Sequence, residues 1–397
     1  MPTVYDDIYE PGEDSYLMQK YVEIYSKNCK NVLDMGTGSG IQAITAAKNA
    51  KSVLAVDINP KAVKQAKLAV EMERLKNITV RESNLFLKIK KNKFDLIIFN
   101  PPYLPKEKDV DDIALFSGKR GIKTTEEFLD NVNEFLSDNG KILLISSSLA
   151  SQSLLDEALK RNLLENKILE KIHMFFEDVF LHELTKSNIL VELNSKKVKS
   201  AKLFAKGKRG VIIKGKYKSK DVGIKIKNKN SEANNTVEHE ANILKRLNEH
   251  KIGPQLIMHE KNFLMYKFVN GEFIEEYFEN KSKAKIKKVI KEIFRQLYVL
   301  DSIKINKFEM HRPLKHILID DSDKLDVTLI DFERARISLK PKNVTQFCDF
   351  LTGEKINEKL SKKGFNIKRE EMIKLSSAYK DNENKKNFEE ILKMIFS

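Results

Sequence analysis

The sequence predicts an open α/β sheet of parallel strands, followed by a second domain of α+β class. Three short apolar runs support the sheet, at residues 31–34, 52–56 and 96–99. Each run has the length of a buried strand and is followed by a glycine-rich or polar segment. The chain has 397 residues, which is too long for one ordinary core and indicates at least two domains.

The composition predicts a cytoplasmic protein. Its two cysteines, Cys29 and Cys348, cannot build a disulfide framework or a zinc site by themselves. The first residues are acidic rather than basic, and no apolar run approaches the roughly 20 residues that a membrane span needs. We therefore expect no export signal and no membrane partner.

Positive charge is concentrated in the second half of the chain. Residues 1–195 carry 26 Lys and Arg against 29 Asp and Glu, whereas residues 196–397 carry 46 against 28. The formal charges of the two halves are thus −3 and +18. A basic domain is typical of contact with tRNA or the ribosome. Only 11 of the 72 cations are Arg, however, so general lysine enrichment of a solvated surface is an equal alternative.

The first predicted strand leads into a glycine loop. Residues 34–40 read Asp-Met-Gly-Thr-Gly-Ser-Gly, and residues 41–49 have a helical pattern. Alternate glycines let the backbone approach a ligand, because no Cβ is in the way. Ile41 stands where a dinucleotide fingerprint needs its last glycine, which argues against NAD. Asp34 is a candidate partner for the ammonium group of a cofactor.

Polar residues also follow the next two predicted strands. Asp57 ends the second strand, where a carboxylate can accept hydrogen bonds from both hydroxyls of a ribose. A helix is predicted over residues 60–74 and a third strand over residues 78–81. Asn84 follows that strand.

The fourth strand ends in Asn100-Pro101-Pro102-Tyr103. Two prolines donate no backbone hydrogen bond, so the strand stops and Asn100 lies at its carboxyl end, where open α/β sheets bind ligands. The Asn100 side-chain oxygen and the Pro101 carbonyl can accept both protons of a planar –NH2 group, which the Tyr103 ring can cover. A simple turn is the alternative interpretation of the tetrapeptide alone. The glycine loop, Asp57 and Asn100 are all predicted at the carboxyl edge of the sheet, which we call the rim. Their common position favours a transfer site over a simple turn.

Together these segments resemble the HemK family of S-adenosylmethionine-dependent methyltransferases, most closely its archaeal and eukaryotic branch. The resemblance rests on residues 34–40, Asp57, residues 100–103 and the N-terminal segment formed by Val4-Tyr5 and residues 9–15. Residues 117–121 and 175–177 also resemble family segments. The resemblance covers residues 1–195 and implies a Rossmann-like class I methyltransferase sheet.

The family methylates the side-chain amide nitrogen of the glutamine in the Gly-Gly-Gln motif of translation release factors, so the resemblance implies a protein substrate and allows for a small activator subunit. The family often has Asp where this chain has Asn84, which could still bond the adenine edge. The cofactor-binding residues that the resemblance implies are Glu13, Asp34, Gly36, Gly38, Gly40, Asp57, Asn84 and Asn100. The implied catalytic residues are Asn100, Pro101, Pro102 and Tyr103.

The chemical class of the acceptor stays open on the sequence alone. The same Asn-Pro-Pro-Tyr clamp serves adenine N6 methyltransferases, because an exocyclic amine and a carboxamide share their geometry. A lysine-specific enzyme is possible within the wider branch. The alternative function is therefore an adenine N6 methyltransferase with a basic, RNA-binding second domain.

A polar connector at residues 196–201 is predicted to separate domains at 1–195 and 202–397. The run at residues 186–193 resembles the last strand of a methyltransferase sheet. Residues 202–397 resemble compact, atypical protein kinases of the RIO and KEOPS-complex type. That resemblance implies ATP binding by Lys225, Glu240 and Asp331, with Asp331 as the Mg²⁺ ligand.

The second domain also departs from the kinase pattern. His311-Arg312-Pro313 stands where a kinase has His-Arg-Asp, and His316 is the nearest counterpart of the metal-binding Asn. Three interpretations remain: ATP binding with little or no phosphoryl transfer, an active atypical kinase or ATPase, and a basic binding module.

Overall fold

The computed structural model describes residues 10–103, 121–174, 176–207, 210–227 and 236–397. The chain forms two compact units, one of residues 1–204 and 215–218 and the other of residues 205–214 and 219–397. Three groups of residues named above lie outside the described ranges: Val4, Tyr5 and Tyr9, residues 117–120, and Phe175. Among the described helices, none is long and apolar enough to cross a membrane.

The first unit is organised around one seven-stranded sheet. Its strands are β1 Asn31–Met35, β2 Ser52–Asp57, β3 Ile78–Glu82, β4 Phe94–Phe99, β5 Leu136–Ser147, β6 Leu164–Met174 and β7 Glu177–Lys186. They lie in the order β3-β2-β1-β4-β5-β7-β6. The strands from β3 to β5 are parallel, and β7 is antiparallel to both β5 and β6. This sheet confirms the predicted Rossmann-like α/β fold.

Helices cover both faces of this sheet. They are α1 Glu13–Tyr25, α2 Ile41–Ala47, α3 Pro60–Met72, α4 Lys123–Val132, α5 Gln152–Arg161 and α6 Asn188–Ser195. Alternate residues of β4 point to opposite faces. Ile97 joins a core with Phe128 of α4, and Ile98 joins a second core with Met18 of α1. Burial on both faces explains why β4 reads as a continuous apolar run.

The expectation of a last strand over residues 186–193 is wrong. Strand β7 ends at Lys186, and the following residues form α6. Leu190 and Leu193 are buried and lie three residues apart, so they share one helix face. A short apolar run fits either a strand or a buried helix face, and here tertiary packing selected the helix.

The remaining strands are β8 Lys199–Lys206, β9 Gly210–Tyr217, β10 Lys220–Lys227, β11 Leu256–His259, β12 Phe263–Lys267, β13 Glu272–Phe273, β14 Ile305–Asn306, β15 Ile317–Asp320, β16 Asp326–Leu329 and β17 Arg336–Ile337. Five of them form a sheet in the order β11-β12-β10-β9-β8, three form a sheet β13-β15-β16, and β14 pairs with β17. Strand β8 begins inside the predicted connector.

The helices of the second unit are α7 Thr236–Glu249, α8 Ile274–Asn280, α9 Lys283–Ser302, α10 Asn343–Thr352, α11 Glu354–Lys362, α12 Arg369–Asp381 and α13 Lys385–Phe396. The 20-residue helix α9 runs through its core. Phe294 of α9 packs edge-on against Phe347 of α10, with ring centroids 5.1 Å apart. The unit is therefore α+β.

Candidate active site

Three neighbouring parallel strands bring the predicted site residues to one edge of the sheet. Met35, the last residue of β1, is the register partner of Phe99 on β4 and of Val56 on β2. Asp57 and Asn100 come next on their strands, level with the start of the glycine loop. The carboxyl edge of a parallel sheet is the usual position for a ligand site.

The glycine loop has a backbone conformation that only glycine adopts without strain. Gly36, Gly38 and Gly40 have φ values of +66°, +52° and +90°. A Cβ at Gly40 would also lie 3.3 Å from the Cβ of Ala66 on α3. The spacing of the glycines is thus explained by the turn between β1 and α2 and by its close packing on α3.

Asp34 is buried beneath the glycine loop. Its Oδ2 accepts hydrogen bonds from Thr37 Oγ1 at 2.6 Å and from the Ala43 backbone N–H at 3.1 Å. Burial raises the pKa of Asp34 to about 7, although these two donors oppose the shift. Asp34 therefore ties the loop to the first turns of α2, and a nearby ammonium group would favour its ionised form.

Asp57 stands at the carboxyl end of β2 and holds the other side of the loop. Its Oδ2 accepts from the Gly38 N–H at 2.9 Å and its Oδ1 from the Asn59 N–H at 2.8 Å. Burial raises the pKa of Asp57, while the backbone donors lower it. Each carboxylate oxygen can accept a further hydrogen bond, so the geometry is compatible with the predicted contact to two ribose hydroxyls.

Two other predicted cofactor residues are exposed on this unit. Asn84 lies in the turn after β3, and the neighbouring Ser83 N–H donates to the Asp57 backbone carbonyl at 2.8 Å. Glu13 is the first residue of α1. The turn that carries Asn84 is therefore held beside Asp57, as an adenine contact would require.

Asn100 makes a contact that the sequence did not reveal. Its Nδ2 donates to Oδ2 of Asp14 at 2.8 Å, and the Tyr103 hydroxyl lies 3.4 Å from the same oxygen. Asp14 is fully buried in the first turn of α1. Oδ1 of Asn100 is buried and has no hydrogen-bond partner among the described residues. The rim thus carries an acceptor that is available to an N–H group.

The second unit contains a cluster of charges around Lys225 of β10. The Lys225 Nζ lies 2.7 Å from Glu240 Oε2 on α7, 2.8 Å from Asp331 Oδ1 and 3.4 Å from Glu333 Oε2. The three predicted residues therefore meet, and Glu333 is an additional member. Burial lowers the pKa of Lys225, but the carboxylates of Glu240 and Asp331 outweigh it and raise that pKa. Burial alone would raise the pKa of Asp331, but the Lys225 ammonium outweighs it and brings that pKa down to about 2.

A second lysine supports the backbone at Asp331. The fully buried Lys307 donates from Nζ to the Asp331 carbonyl oxygen and lies 4.6 Å from the centre of the Phe332 ring. Asp331 itself has φ of +62°, and the Phe332 N–H donates to Glu240 Oε1 at 3.0 Å. Nothing in the spacing of the sequence indicated that Lys307 is buried.

Residues 311–313, where the resemblance to kinases implied the catalytic loop, carry no carboxylate. His311 and Arg312 are exposed, and Pro313 is buried. His316 Nδ1 is buried without a hydrogen-bond partner in the described part of the chain. Burial, with the nearby Lys307 ammonium, lowers the pKa of His316.

Comparison with known proteins identifies the first unit. A family model described as "Methyltransferase small domain" matches residues 16–170. A Methanocaldococcus jannaschii protein, provisionally named a protein N5-glutamine methyltransferase, is 35% identical over 184 residues, which is 45% of this chain and 91% of the relative. A release factor glutamine methyltransferase of Streptococcus pneumoniae is 33% identical over 126 residues, which is 29% of this chain and 44% of that protein.

A solved structure also matches. It is the E. cuniculi Mtq2–Trm112 complex, described as responsible for the methylation of the eRF1 translation termination factor. The matched chain is 25% identical, and the match covers 45% of this chain and 99% of that chain, with a TM-score of 0.38. The chain belongs to the methyltransferase small domain family and is an S-adenosylmethionine-dependent methyltransferase.

Proposed function

We propose that this methyltransferase modifies the side-chain amide nitrogen of a protein glutamine, namely that of the Gly-Gly-Gln motif in a translation release factor. The observation that carries the proposal is Asn100 Oδ1, which is buried and has no hydrogen-bond partner among the described residues, on the rim that also holds the glycine loop and Asp57. The names of the relatives from M. jannaschii and S. pneumoniae support the same acceptor. A release factor substrate would also fit the predicted cytoplasmic location.

The rim fits S-adenosylmethionine. The loop carries no Cβ at Gly36, Gly38 and Gly40, Asp57 offers acceptors to a ribose, and Asp34 offers a carboxylate to an ammonium group. When bound, the cofactor supplies a methyl group on a positively charged sulfur, which departs as a neutral thioether. The methylated nitrogen gives up one N–H proton to water, so the residues of the chain have to bind and align the reactants rather than provide a strong base.

Alignment is the task we assign to Asn100 and its neighbours. By accepting one N–H of the substrate amide, Asn100 Oδ1 fixes the plane of that group and aims its nitrogen lone pair. The Pro101 carbonyl is the proposed acceptor for the second N–H, and the Tyr103 ring covers the group. Holding two reactants in a near-attack geometry can supply roughly 7–11 kcal/mol of a barrier.

The direct test offers the purified protein radiolabelled S-adenosylmethionine together with a release factor, and total tRNA in a parallel reaction. We expect label on the release factor, and we expect it to vanish when the Gly-Gly-Gln glutamine is replaced by glutamate. Label on RNA alone would overturn the proposal. Mass spectrometry of the labelled peptide would locate the methyl group.

A small activator subunit is a further proposed partner, based on the sequence resemblance to the archaeal and eukaryotic branch. The same assay tests it when a fraction of small proteins from a cell extract is added. A rise in kcat that purifies with one small protein is the expected result. An enzyme that is fully active alone, with no response to the fraction, would contradict it.

An adenine N6 methyltransferase is the second candidate, favoured by the formal charge of +18 on residues 196–397. Binding through several phosphates weakens steeply as salt rises, whereas binding of a protein substrate need not. A steep salt dependence of KM, together with label on RNA, would favour this alternative.

For the second unit we propose a kinase-like site that binds ATP through Lys225, with Asp331 as the Mg²⁺ ligand. The strand-to-helix pair of Lys225 and Glu240, at 2.7 Å, supports this proposal. Pro313, which stands where a kinase has its catalytic Asp, favours binding over phosphoryl transfer. Asp331→Ala is expected to abolish Mg²⁺-dependent ATP binding in a calorimetric titration, and unchanged binding would contradict the proposal.

A further inference from the structure

We propose that Asp14 is a positioning residue, which fixes the amide of Asn100 so that its oxygen and not its –NH2 group faces the methyl acceptor. The inference deepens the proposed function and rests on it for the nature of the acceptor, an N–H-bearing group. The residues, however, are assigned from contacts in this structure.

The hydrogen bonds around Asp14 leave only one orientation for Asn100. Oδ2 of Asp14 accepts from Asn100 Nδ2 at 2.8 Å, and Oδ1 accepts from the Ser15 backbone N–H at 2.6 Å. A carboxylate accepts hydrogen bonds and does not donate them. The carboxylate therefore selects the –NH2 side of the Asn100 amide, and the Asn100 oxygen is left facing away from it, buried and without a hydrogen-bond partner in the part of the chain that the structure describes.

The opposite orientation would defeat the site. If the amide of Asn100 were turned over, its oxygen would face the carboxylate and its –NH2 group would face the –NH2 group of the acceptor. The flip would break a hydrogen bond to a charged group and leave two like dipoles in contact. Such a bond biases an equilibrium by about tenfold to a hundredfold.

Helix α1 is anchored in a way that makes Asp14 a fixed point. Gln42 Nε2 on α2 donates to the Ser15 backbone carbonyl at 2.8 Å, which ties the first turn of α1 to the helix that follows the glycine loop. Leu17, Met18 and Val22 bury the inner face of α1 against the sheet. The carboxylate of Asp14 is therefore held in place by packing, and the Tyr103 hydroxyl at 3.4 Å is a second group near it.

The test exchanges the two partners. Asp14→Asn is expected to lower kcat about tenfold to a hundredfold, because either face of the Asn100 amide can then pair with position 14. The dissociation constant of S-adenosylmethionine should stay within about twofold. Asn100→Asp should lose at least as much, because it brings two carboxylates into contact.

The double variant, Asp14→Asn with Asn100→Asp, is the decisive one. The new amide at position 14 can donate to the new carboxylate at position 100, whose second oxygen again faces the acceptor. We expect its kcat to exceed that of the better single variant by about tenfold, a recovery that a merely structural role for Asp14 does not produce. A double variant no better than the single ones would overturn the inference. Glu23→Gln, an exposed carboxylate change on the same helix, is the matched control and should retain wild-type kcat.

A second readout needs neither cofactor nor acceptor. In protein labelled with ¹⁵N-asparagine, the side-chain –NH2 signal that disappears in Asn100→Ala belongs to Asn100. We expect its protons to exchange with water at least about tenfold faster in Asp14→Ala than in wild type, because the accepting carboxylate is gone. Equal exchange rates would overturn the positioning role. Failure of the wild-type protein to methylate a release factor would instead overturn the proposed function and leave this result standing.

Discussion

The candidate sites of the two units differ in how their polar atoms are paired. In the first unit, Asn100 Oδ1 is buried without a hydrogen-bond partner among the described residues. In the second unit, the ammonium group of Lys225 has three carboxylates within 3.4 Å. One site leaves an acceptor open, whereas the other pairs its charges internally.

This difference in pairing indicates which of the two sites needs a ligand to complete its hydrogen bonds. A buried polar atom without a partner is costly, so its presence on a ligand-binding rim indicates that a ligand completes it. A cluster that pairs its own charges is complete without a ligand, and removal of one partner is costly because it leaves a buried charge uncompensated. We therefore expect changes at Asn100 to alter activity and changes around Lys225 to alter stability.

The largest stability effect is expected from Asp34, the internally paired carboxylate of the first unit. Its pKa is about 7 in the folded protein, against about 3.9 in an unfolded chain. Asp34 ionises at a lower pH in the unfolded chain than in the folded protein. The free energy of unfolding of the wild type should therefore fall by about 4 kcal/mol as pH rises from about 4 to about 7. No further change is expected above that range.

Asp34→Asn should remove this loss, since an amide oxygen can still accept from Thr37 and Ala43. The measurement is urea unfolding from pH 4 to 8. It is monitored through the hydrogen exchange of amide protons in β1 and β4, which reports on the first unit. The wild type and the variant should differ in slope below pH 7. Parallel pH profiles would contradict the burial of an ionisable Asp34.

The next largest effect is expected at Glu240. Glu240→Ala leaves Lys225 without its most buried partner and should destabilise the second unit by about 3 kcal/mol. Urea unfolding followed by amide exchange in α9 would measure it. The matched control is Glu358→Ala, which removes an equally short but exposed ion pair of 2.7 Å with Lys362. That change should cost far less, because an exposed ion pair contributes little to stability, and equal effects of the two variants would contradict the comparison.

A smaller effect separates two positions of the glycine loop. Gly36→Ala introduces strain only, because its nearest neighbour would be 3.7 Å from the new Cβ, and should cost about 1 kcal/mol. Gly40→Ala adds a 3.3 Å contact with Ala66 and should cost about 2 kcal/mol. Unfolding of the first unit measures both. A larger loss for Gly36→Ala would contradict the packing of the loop on α3.

The sequence predicted those parts of the site that follow directly from strand ends. The strands before Gly36, Asp57 and Asn100 are short apolar runs with clear stops, and parallel strands carry their ends to one edge. The contact of Asp14 with Asn100 could not be predicted, because 86 residues separate them and the packing of α1 brings them together. The run at 186–193 does not distinguish a strand from a helix in the sequence, because its apolar residues fit both the period of a strand and that of a buried helix face.

We propose that two residues of the rim have different roles: Asp57 binds the cofactor, and Asn100 orients the acceptor. The measurement that tests it most directly is the pair of S-adenosylmethionine dissociation constant and kcat for Asp57→Ala and Asn100→Ala. We expect Asn100→Ala to lower kcat by about a hundredfold or more with the dissociation constant nearly unchanged, and Asp57→Ala to raise the dissociation constant at least about tenfold. If Asn100→Ala weakened cofactor binding as much as it lowered kcat, the division of labour would be wrong.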